Sequence, residues 1–374
     1  MHALDASKRG WMVAAAVMCG VCAAKPPAER VERLGRGVNM SHWFWIPHDG
    51  SDRGRERFVS AEDVAAIKAA GFTHVRLPVE PGWLRDESRD ELRAERLAAY
   101  RRGMDLFTKQ GMAVLVDVHP SRTAWMTRFD DAAQKEFEVF WAALATAMAN
   151  TDPELVILEL MNEPHDLEDA AIWNGAQKRL VEVVRKAAPK HTILCTGDSW
   201  GSIAGLERCE PVDDDNVVYS FHFYEPHNFT HQGATWGFDA WRGMAGVPWP
   251  ATPEDLRNVA AGFESQRSRE VLNWSATRDA WDAEAVGERI AEAAAWAKRH
   301  DVPVYCGEFG VYRERAPAAA RERWLAAVTG AMAEHGIGWA MWDYAGGFAL
   351  VEGGPGERAL DEGTLKALGM KRSK

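Results

Sequence analysis

Two short motifs in this chain carry a glutamate directly behind an apolar run: Asn162-Glu163-Pro164 follows residues 156–160, and Gly307-Glu308-Phe309-Gly310 follows residues 302–306. Runs of that length and composition read as buried strands. A single Glu after a strand is ordinarily a solvated loop residue or a helix cap, since Glu is among the residues most often left in water. Two of them at the C-terminal ends of two strands of one parallel barrel can instead face each other across a cleft, one protonated and one ionised. Hydrolysis of a glycosidic bond uses that pair: a carboxylic acid protonates the departing oxygen while a carboxylate works on the anomeric centre.

The elements that must hold such a pair are legible as an alternation. Strand-like segments fall at 35–39, 73–77, 113–117, 156–160, 192–196, 217–221, 302–306 and 339–342. Between them lie amphipathic runs with helical spacing, among them 60–70 with Ser60 as N-cap, 90–109, 131–148, 170–187, 282–299 and 317–335. Eight strands alternating with helices predict an α/β fold, a (β/α)8 TIM barrel forming one domain over residues 25–374. A doubly wound sheet is the competing topology, but no glycine-rich phosphate turn follows the first strand. One connection is unusually long. Residues 225–281 separate the sixth strand from its helix and hold Trp236, Trp241, Trp249, Trp274 and Trp281; a loop of that length in a compact domain is usually functional.

Composition narrows the partners. The 374 residues include 17 Trp, more than a core of this size requires, and sugar rings stack their apolar faces on aromatics. The formal charge is −11, which repels nucleic acid phosphates and anionic membranes. Residues 1–24 read as a signal peptide: Lys8 and Arg9 precede an apolar stretch over 11–24, too short to span a bilayer, with Ala23 and Ala24 offering a cleavage site. The alternative is an N-terminal anchor helix. Lipidation at Cys19 or Cys22 is disfavoured by the larger Met18 and Val21 just before them. The expectation is a secreted or periplasmic monomer with no stable membrane association once the signal is removed. Cys195, Cys209 and Cys306 then remain, an odd number; one bridge between Cys195 and Cys209 is conceivable after export.

Polar residues fall consistently at the ends of the expected strands: Arg76 after the second, His119 after the third, Asn162 and Glu163 after the fourth, His222 and Tyr224 after the sixth, Glu308 at the seventh and Trp342 at the eighth. Any one of these has an innocent reading as a partner for backbone groups. Eight on six strands make a site. This ordered set resembles that of the cellulase-type glycoside hydrolases of family 5, whose two glutamates stand on strands four and seven; the resemblance covers Leu34 to about Gly347 and includes all eight signature positions. It implies a retaining mechanism with no metal and no cofactor. Glu163 would then be the acid/base and Glu308 the nucleophile, with carboxyls about 5 to 5.5 Å apart. Arg76 and Tyr224 are expected to keep Glu308 ionised, and Asn162 to bind the sugar 2-hydroxyl. From the resemblance come three further roles: His222 tunes Glu163, His119 binds a sugar hydroxyl, and Trp342 lies under the ring being cleaved.

Around this set, Asn39, His42, Trp43 and Trp45 after the first strand, Trp83 after the second, and Trp236 in the long loop are candidates for substrate binding; core or lid packing is the competing reading for each. His222, His227 and His231 raise zinc, but loop spacing does not imply its fixed geometry. Asp213, Asp214 and Asp215 read as a solvated turn before a strand rather than a calcium site. Two functions of other classes are weighed. A non-catalytic carbohydrate-binding protein would typically have lost one of the glutamates or their supports, and a metal-dependent barrel hydrolase would want a His-x-His where Val116-Asp117-Val118-His119 offers one histidine. The expected substrate is a polysaccharide or oligosaccharide, with β-1,4-glucan cleaved internally as the leading reading and β-mannan or exo-action on β-glucans as alternatives.

Overall fold

The computed structural model describes residues 25–86, 89, 91–121, 129–278 and 281–371; the expected signal peptide lies outside the described residues. Eight parallel strands close into a barrel: β1 (Arg36–Asn39), β2 (His74–Val79), β3 (Ala113–Val118), β4 (Val156–Glu159), β5 (Ile193–Thr196), β6 (Val217–Phe223), β7 (Val304–Phe309) and β8 (Gly338–Met341). Each pairs with its sequence neighbours and β8 returns to β1, with Arg36 opposite Trp339. Helices run outside: α1 (Ala61–Ala69), α2 (Ala94–Thr108), α3 (Asp131–Met148), α4 (Ala170–Ala187), α5 (Ile203–Glu207), then α6 (Pro253–Ala261) and α7 (Gln266–Ser275), followed by α8 (Ala283–His300), α9 (Ala318–Glu334) and α10 (Glu362–Ala367). The α/β barrel read from the alternation is the fold.

Side-chain alternation sorts each strand into two jobs. One set packs outward against the helices in the main core. The other fills the barrel, where Leu115, Ile157, Leu194, Val218, Tyr305 and Ala340 make a separate apolar cluster. Two residues further along the same inward faces the filling turns polar, with Arg76, Asp117 and Glu159 all buried. The apolar floor thus ends where the chemistry begins.

Most of the tryptophan surplus belongs to this core. Trp141, Trp173, Trp249, Trp281, Trp296 and Trp324 are fully buried, and among the described residues Trp200, Trp236 and Trp274 are the markedly exposed ones. The composition argument for a sugar cleft therefore rested on residues that chiefly pack helices onto strands. Three buried indoles do more than fill space. Trp141 of α3 donates to the Leu160 carbonyl (2.8 Å), Trp173 of α4 to Thr196 (2.7 Å) and Trp324 of α9 to Glu225 (3.0 Å), so each pins the C-terminal end of a strand.

The segment after β6 is not a structureless loop. Thr252 caps α6 in a reciprocal capping box with Asp255, Pro253 opens the helix, and Ser265 caps α7. Those cap residues were legible in the sequence, so the reading of 225–281 as one loop is corrected to a small helical insertion. Cys195, Cys209 and Cys306 are free and buried, so the conceivable Cys195–Cys209 bridge is absent. Asp214 is engaged by Arg185 at 2.7 and 3.0 Å, so this member of the acidic turn is paired rather than simply solvated.

Candidate active site

β4 ends at Glu159, and the chain beyond it is held on both sides. Leu160 N donates to Leu194 (3.1 Å) and Asn162 N to Val118 (2.9 Å), tying the segment to β5 and β3. Glu163 follows with φ 44°, in the left-handed region that costs a non-glycine residue energy and is met mostly where surroundings enforce it. That turn sends the side chain into the barrel mouth. Glu308 arrives differently, inside β7 and opposite His222, beside an irregularity in the β6–β7 ladder at Phe221/His222. Irregularities of this kind re-aim side chains next to functional sites. The glycines flanking Glu308 are required by close approach: a Cβ on Gly307 would sit 2.7 Å from Ser220 Oγ and 2.9 Å from His222 Nε2, and one on Gly310 would sit 2.2 Å from the Trp342 carbonyl.

The two carboxylates meet. One oxygen of each, together with a His222 ring nitrogen, lie within 4.8 Å of one another. Glu308 accepts from Arg76 Nη1 at 2.6 Å and from the Tyr224 hydroxyl at 2.9 Å. Glu163 has no such cation; its Oε1 shares a 2.8 Å hydrogen bond with His222 Nδ1, and its side chain is 24% exposed at the cleft. Burial raises the Glu163 carboxyl to about 7. Burial also raises Glu308, and the nearby Glu163 adds to this, while His222 and Arg76 oppose it. The expectation that Arg76 holds Glu308 ionised is thus right in the direction of Arg76's effect, but desolvation outweighs it in the net shift. Burial lowers His222 to about 4 and His119 to about 3, so both are neutral near pH 7.

The remaining signature residues complete the wall. Asn162 accepts from Arg76 Nη2 (2.9 Å). His119 Nδ1 bonds Asp117 Oδ2 at 2.8 Å, which fixes Nε2 as the nitrogen left for the cleft, and its ring stacks on Trp342 at 5.7 Å. Trp342 is held by its backbone N to Phe309 (2.9 Å), and the Trp342–Asp343 peptide is cis. Trp342, Tyr224 and Phe348 form an apolar cluster with Trp45 and Tyr312 packed against it.

The expected substrate-binding residues divide. Trp236 reaches this cluster, standing edge-on to Tyr312 at 4.8 Å and 48% exposed. His42 lies at the margin, its Nδ1 at 2.9 Å from the Ile46 carbonyl and its ring stacked on His48 at 4.1 Å. Asn39 is buried below the cleft, where it accepts from Arg76 (3.0 Å) and donates to Gly307 (2.9 Å). Trp43 packs among Phe44, Phe58 and Phe107 and donates to Arg55, the core reading rather than a sugar platform. Trp83 is taken by the guanidinium groups of Arg55 and Arg96 at 4.9 and 5.7 Å. The aromatics the cleft does use include Trp45, 4.1 Å from His119, and, on the Glu163 side, Trp200, 52% exposed and stacked on His165 at 5.0 Å. Nothing in the sequence marked Trp200 or His165. Asp117 and Glu159, which brace Arg76, were also missed, although Asp117 stands two residues before His119 and Glu159 three before Asn162.

Of the three histidines weighed for zinc, His222 lies at the two glutamates, while His227 and His231 stack on each other at 5.6 Å and Trp241 stacks on His231 at 4.7 Å. Among the described residues the one group with metal-ligand spacing is Glu163, His222 and Glu308 themselves. No described helix is long and apolar enough to cross a membrane.

Comparison with known proteins follows the same lines. Endoglucanase 3 of Fibrobacter succinogenes is 31% identical over 366 residues, covering 90% of this chain and 53% of that protein, so the chain spans about half of that relative's length. Endoglucanase C of Acetivibrio thermocellus is 28% identical over 323 residues, covering 82% of this chain and 90% of the relative. The crystal structure of endoglucanase Cel5A from Thermotoga maritima superposes with a TM-score of 0.76 at 25% identity, over 92% of this chain and 99% of that one. The model of the cellulase family, glycosyl hydrolase family 5, matches residues 36–347. This chain belongs to glycosyl hydrolase family 5 and is a glycoside hydrolase.

Proposed function

We propose that the chain is a retaining endo-β-1,4-glucanase acting by double displacement. The observation that carries retention is that one oxygen of each carboxylate lies within 4.8 Å of the other, which fits the close pair of retaining enzymes better than the wider gap that admits a water in inverting ones. Glu308, the carboxylate bonded by Arg76 and Tyr224, attacks the anomeric carbon. Glu163, held protonated by burial, donates to neutral His222 at rest and to the glycosidic oxygen in the first step, then takes a proton from water in the second. Asn162 meets the 2-hydroxyl, His119 Nε2 accepts from another hydroxyl, and Trp342 floors the ring.

The glucan reading is supported by relatives named endoglucanases on both sides of the comparison. The Thermotoga maritima enzyme has been solved with cellobiose and also with mannotriose, so β-mannan is the second reading. A segment like 1–24 supports export to where such polysaccharides are met. A β-linked substrate is expected to give β-product first in an NMR time course, and α-product first would overturn retention. Glu308→Ala is expected to lose several orders of magnitude in kcat and to be rescued by azide as the α-glycosyl azide; a β-azide would move the acid/base role to Glu308. Reducing-sugar assays on soluble β-1,4-glucan and mannan, with and without a chelator, decide substrate and test the metal-dependent alternative.

A further inference from the structure

Arg76 faces more negative charge than one guanidinium balances. It reaches three buried carboxylates: Glu159 through Nε (2.7 Å) and Nη2 (2.8 Å), Asp117 through Nη2 (3.1 Å), and Glu308 through Nη1 (2.6 Å). The two-pronged contact, the one that fits guanidinium to carboxylate and fixes its plane, goes to Glu159. Glu308 receives a single prong. Asn39 and Asn162 occupy the donors' remaining directions at 3.0 and 2.9 Å, so the guanidinium has no freedom to turn. Glu159 and Asp117 themselves are 2% and 0% exposed and sit a layer below the cleft, out of reach of a substrate. A buried ionic cluster is a weak source of stability, which leaves this one in want of another use.

Resting on the reading of Glu308 as nucleophile, we propose that Glu159, assisted by Asp117, is a positioning residue that sets the nucleophile's charge. Its fork fixes the guanidinium plane so that Nη1 alone points at Glu308, and it shares the positive charge so that Glu308 is ionised but only partly neutralised. A carboxylate fully paired with Arg76 would be easier to ionise and slower to attack. The groups facing Glu308 are Arg76 from β2, His222 and Tyr224 from β6 and its end, His119 after β3 and Glu163 after β4. Those facing Glu159 are Arg76, Asp117, His222, Glu163, Tyr100 of α2 and Tyr305 of β7. Arg76 is the one cation among them, so removing a carboxylate from this cluster hands its share of the charge to Glu308.

The test uses an activated 2-deoxy-2-fluoro β-cellobioside, whose aryl leaving group departs as Glu308 bonds to the anomeric carbon and whose glycosyl-enzyme then persists. In Glu159→Gln the inactivation rate is expected to fall about 10- to 100-fold, its acid limb to move down by about one pH unit, and KM for glucan to stay near the wild-type value. Asp117→Asn is expected to move the acid limb the same way. A merely structural role would lower the rate without moving that limb. Peptide mapping separates the two ideas: label on Glu308 with an unmoved limb in both variants overturns this inference alone, whereas label on another residue overturns the reading of Glu308. If Glu159→Gln does not fold, Asp117→Asn decides. If neither folds, the cluster is structural and the inference is overturned.

Discussion

Glu163 and Glu308 are the same side chain in two electrostatic settings. Glu308 has a guanidinium and a phenol within hydrogen-bond reach; Glu163 has a neutral imidazole and the cleft. The difference supports the proposed roles, and Glu163→Gln tests them with two substrates. A dinitrophenyl glycoside needs little protonation, so its first step is expected to survive with a burst as the intermediate accumulates, while turnover of glucan falls by about 10² to 10⁴. Equal losses would make Glu163 structural. The same substitution has a stability signature. Because the Glu163 carboxyl rises in the fold to about 7, its contribution to stability is full below the unfolded value near 4 and is lost as pH rises through about 7. Glu163→Gln is therefore expected to melt higher than wild type at pH 8, by about 1 to 3 kcal/mol, with the difference vanishing near pH 4. A gap that is the same at both pH values would contradict the raised carboxyl.

The helices of this barrel act on the site through the ends of strands. Trp141 and Ser60 offer a comparison. Trp141→Phe removes the bond from α3 to the Leu160 carbonyl, three residues before Glu163. Ser60→Ala removes the cap of α1, where Ser60 and Asp63 bond each other's backbone. Ser60→Ala is expected to cost about 1 kcal/mol by thermal melting, and Trp141→Phe about 2 to 3 kcal/mol, because it also empties part of a fully buried site. Only Trp141→Phe is expected to lower kcat as well, since a small displacement of Glu163 misaligns the proton donor. A fall in kcat in Ser60→Ala of the same size would show that activity follows stability alone.

At the scale of the whole molecule, two burial-shifted carboxyls give a bell-shaped pH profile. Under the proposed roles the acid limb follows ionisation of Glu308, which burial raises, and the basic limb follows loss of the Glu163 proton at about 7. The pair titrates as a unit, so the limbs are those of the dyad. The optimum is expected at mildly acidic pH, and an optimum above pH 8 would refute the assignment. The chain's −11 charge has no long-range counterpart on a neutral polysaccharide, so kcat/KM on glucan is expected to change little between 50 and 500 mM salt, where a steered charged substrate would respond strongly.

The sequence by itself determined the architecture and singled out the two carboxylates proposed to react. Continuous apolar runs, helical spacing and caps such as Ser60 are local consequences of backbone geometry. They place strands and helices without reference to anything distant, and Asn162-Glu163 and Glu308 are visible because they end such strands. What only the tertiary structure decided is everything that depends on residues far apart in the chain. Trp43 and Trp45 are two positions apart, yet one packs beside Phe107 and the other against Trp342 and His119, and no local pattern separates them. Glu159 looks like one more residue of a strand until closure of the barrel sets it across from Arg76, 83 positions away in sequence. The proposed acid and nucleophile, too, become distinct only there, because a pKa is set by burial and by the charges that the fold brings near, and neither is a property of the neighbouring residues in the chain.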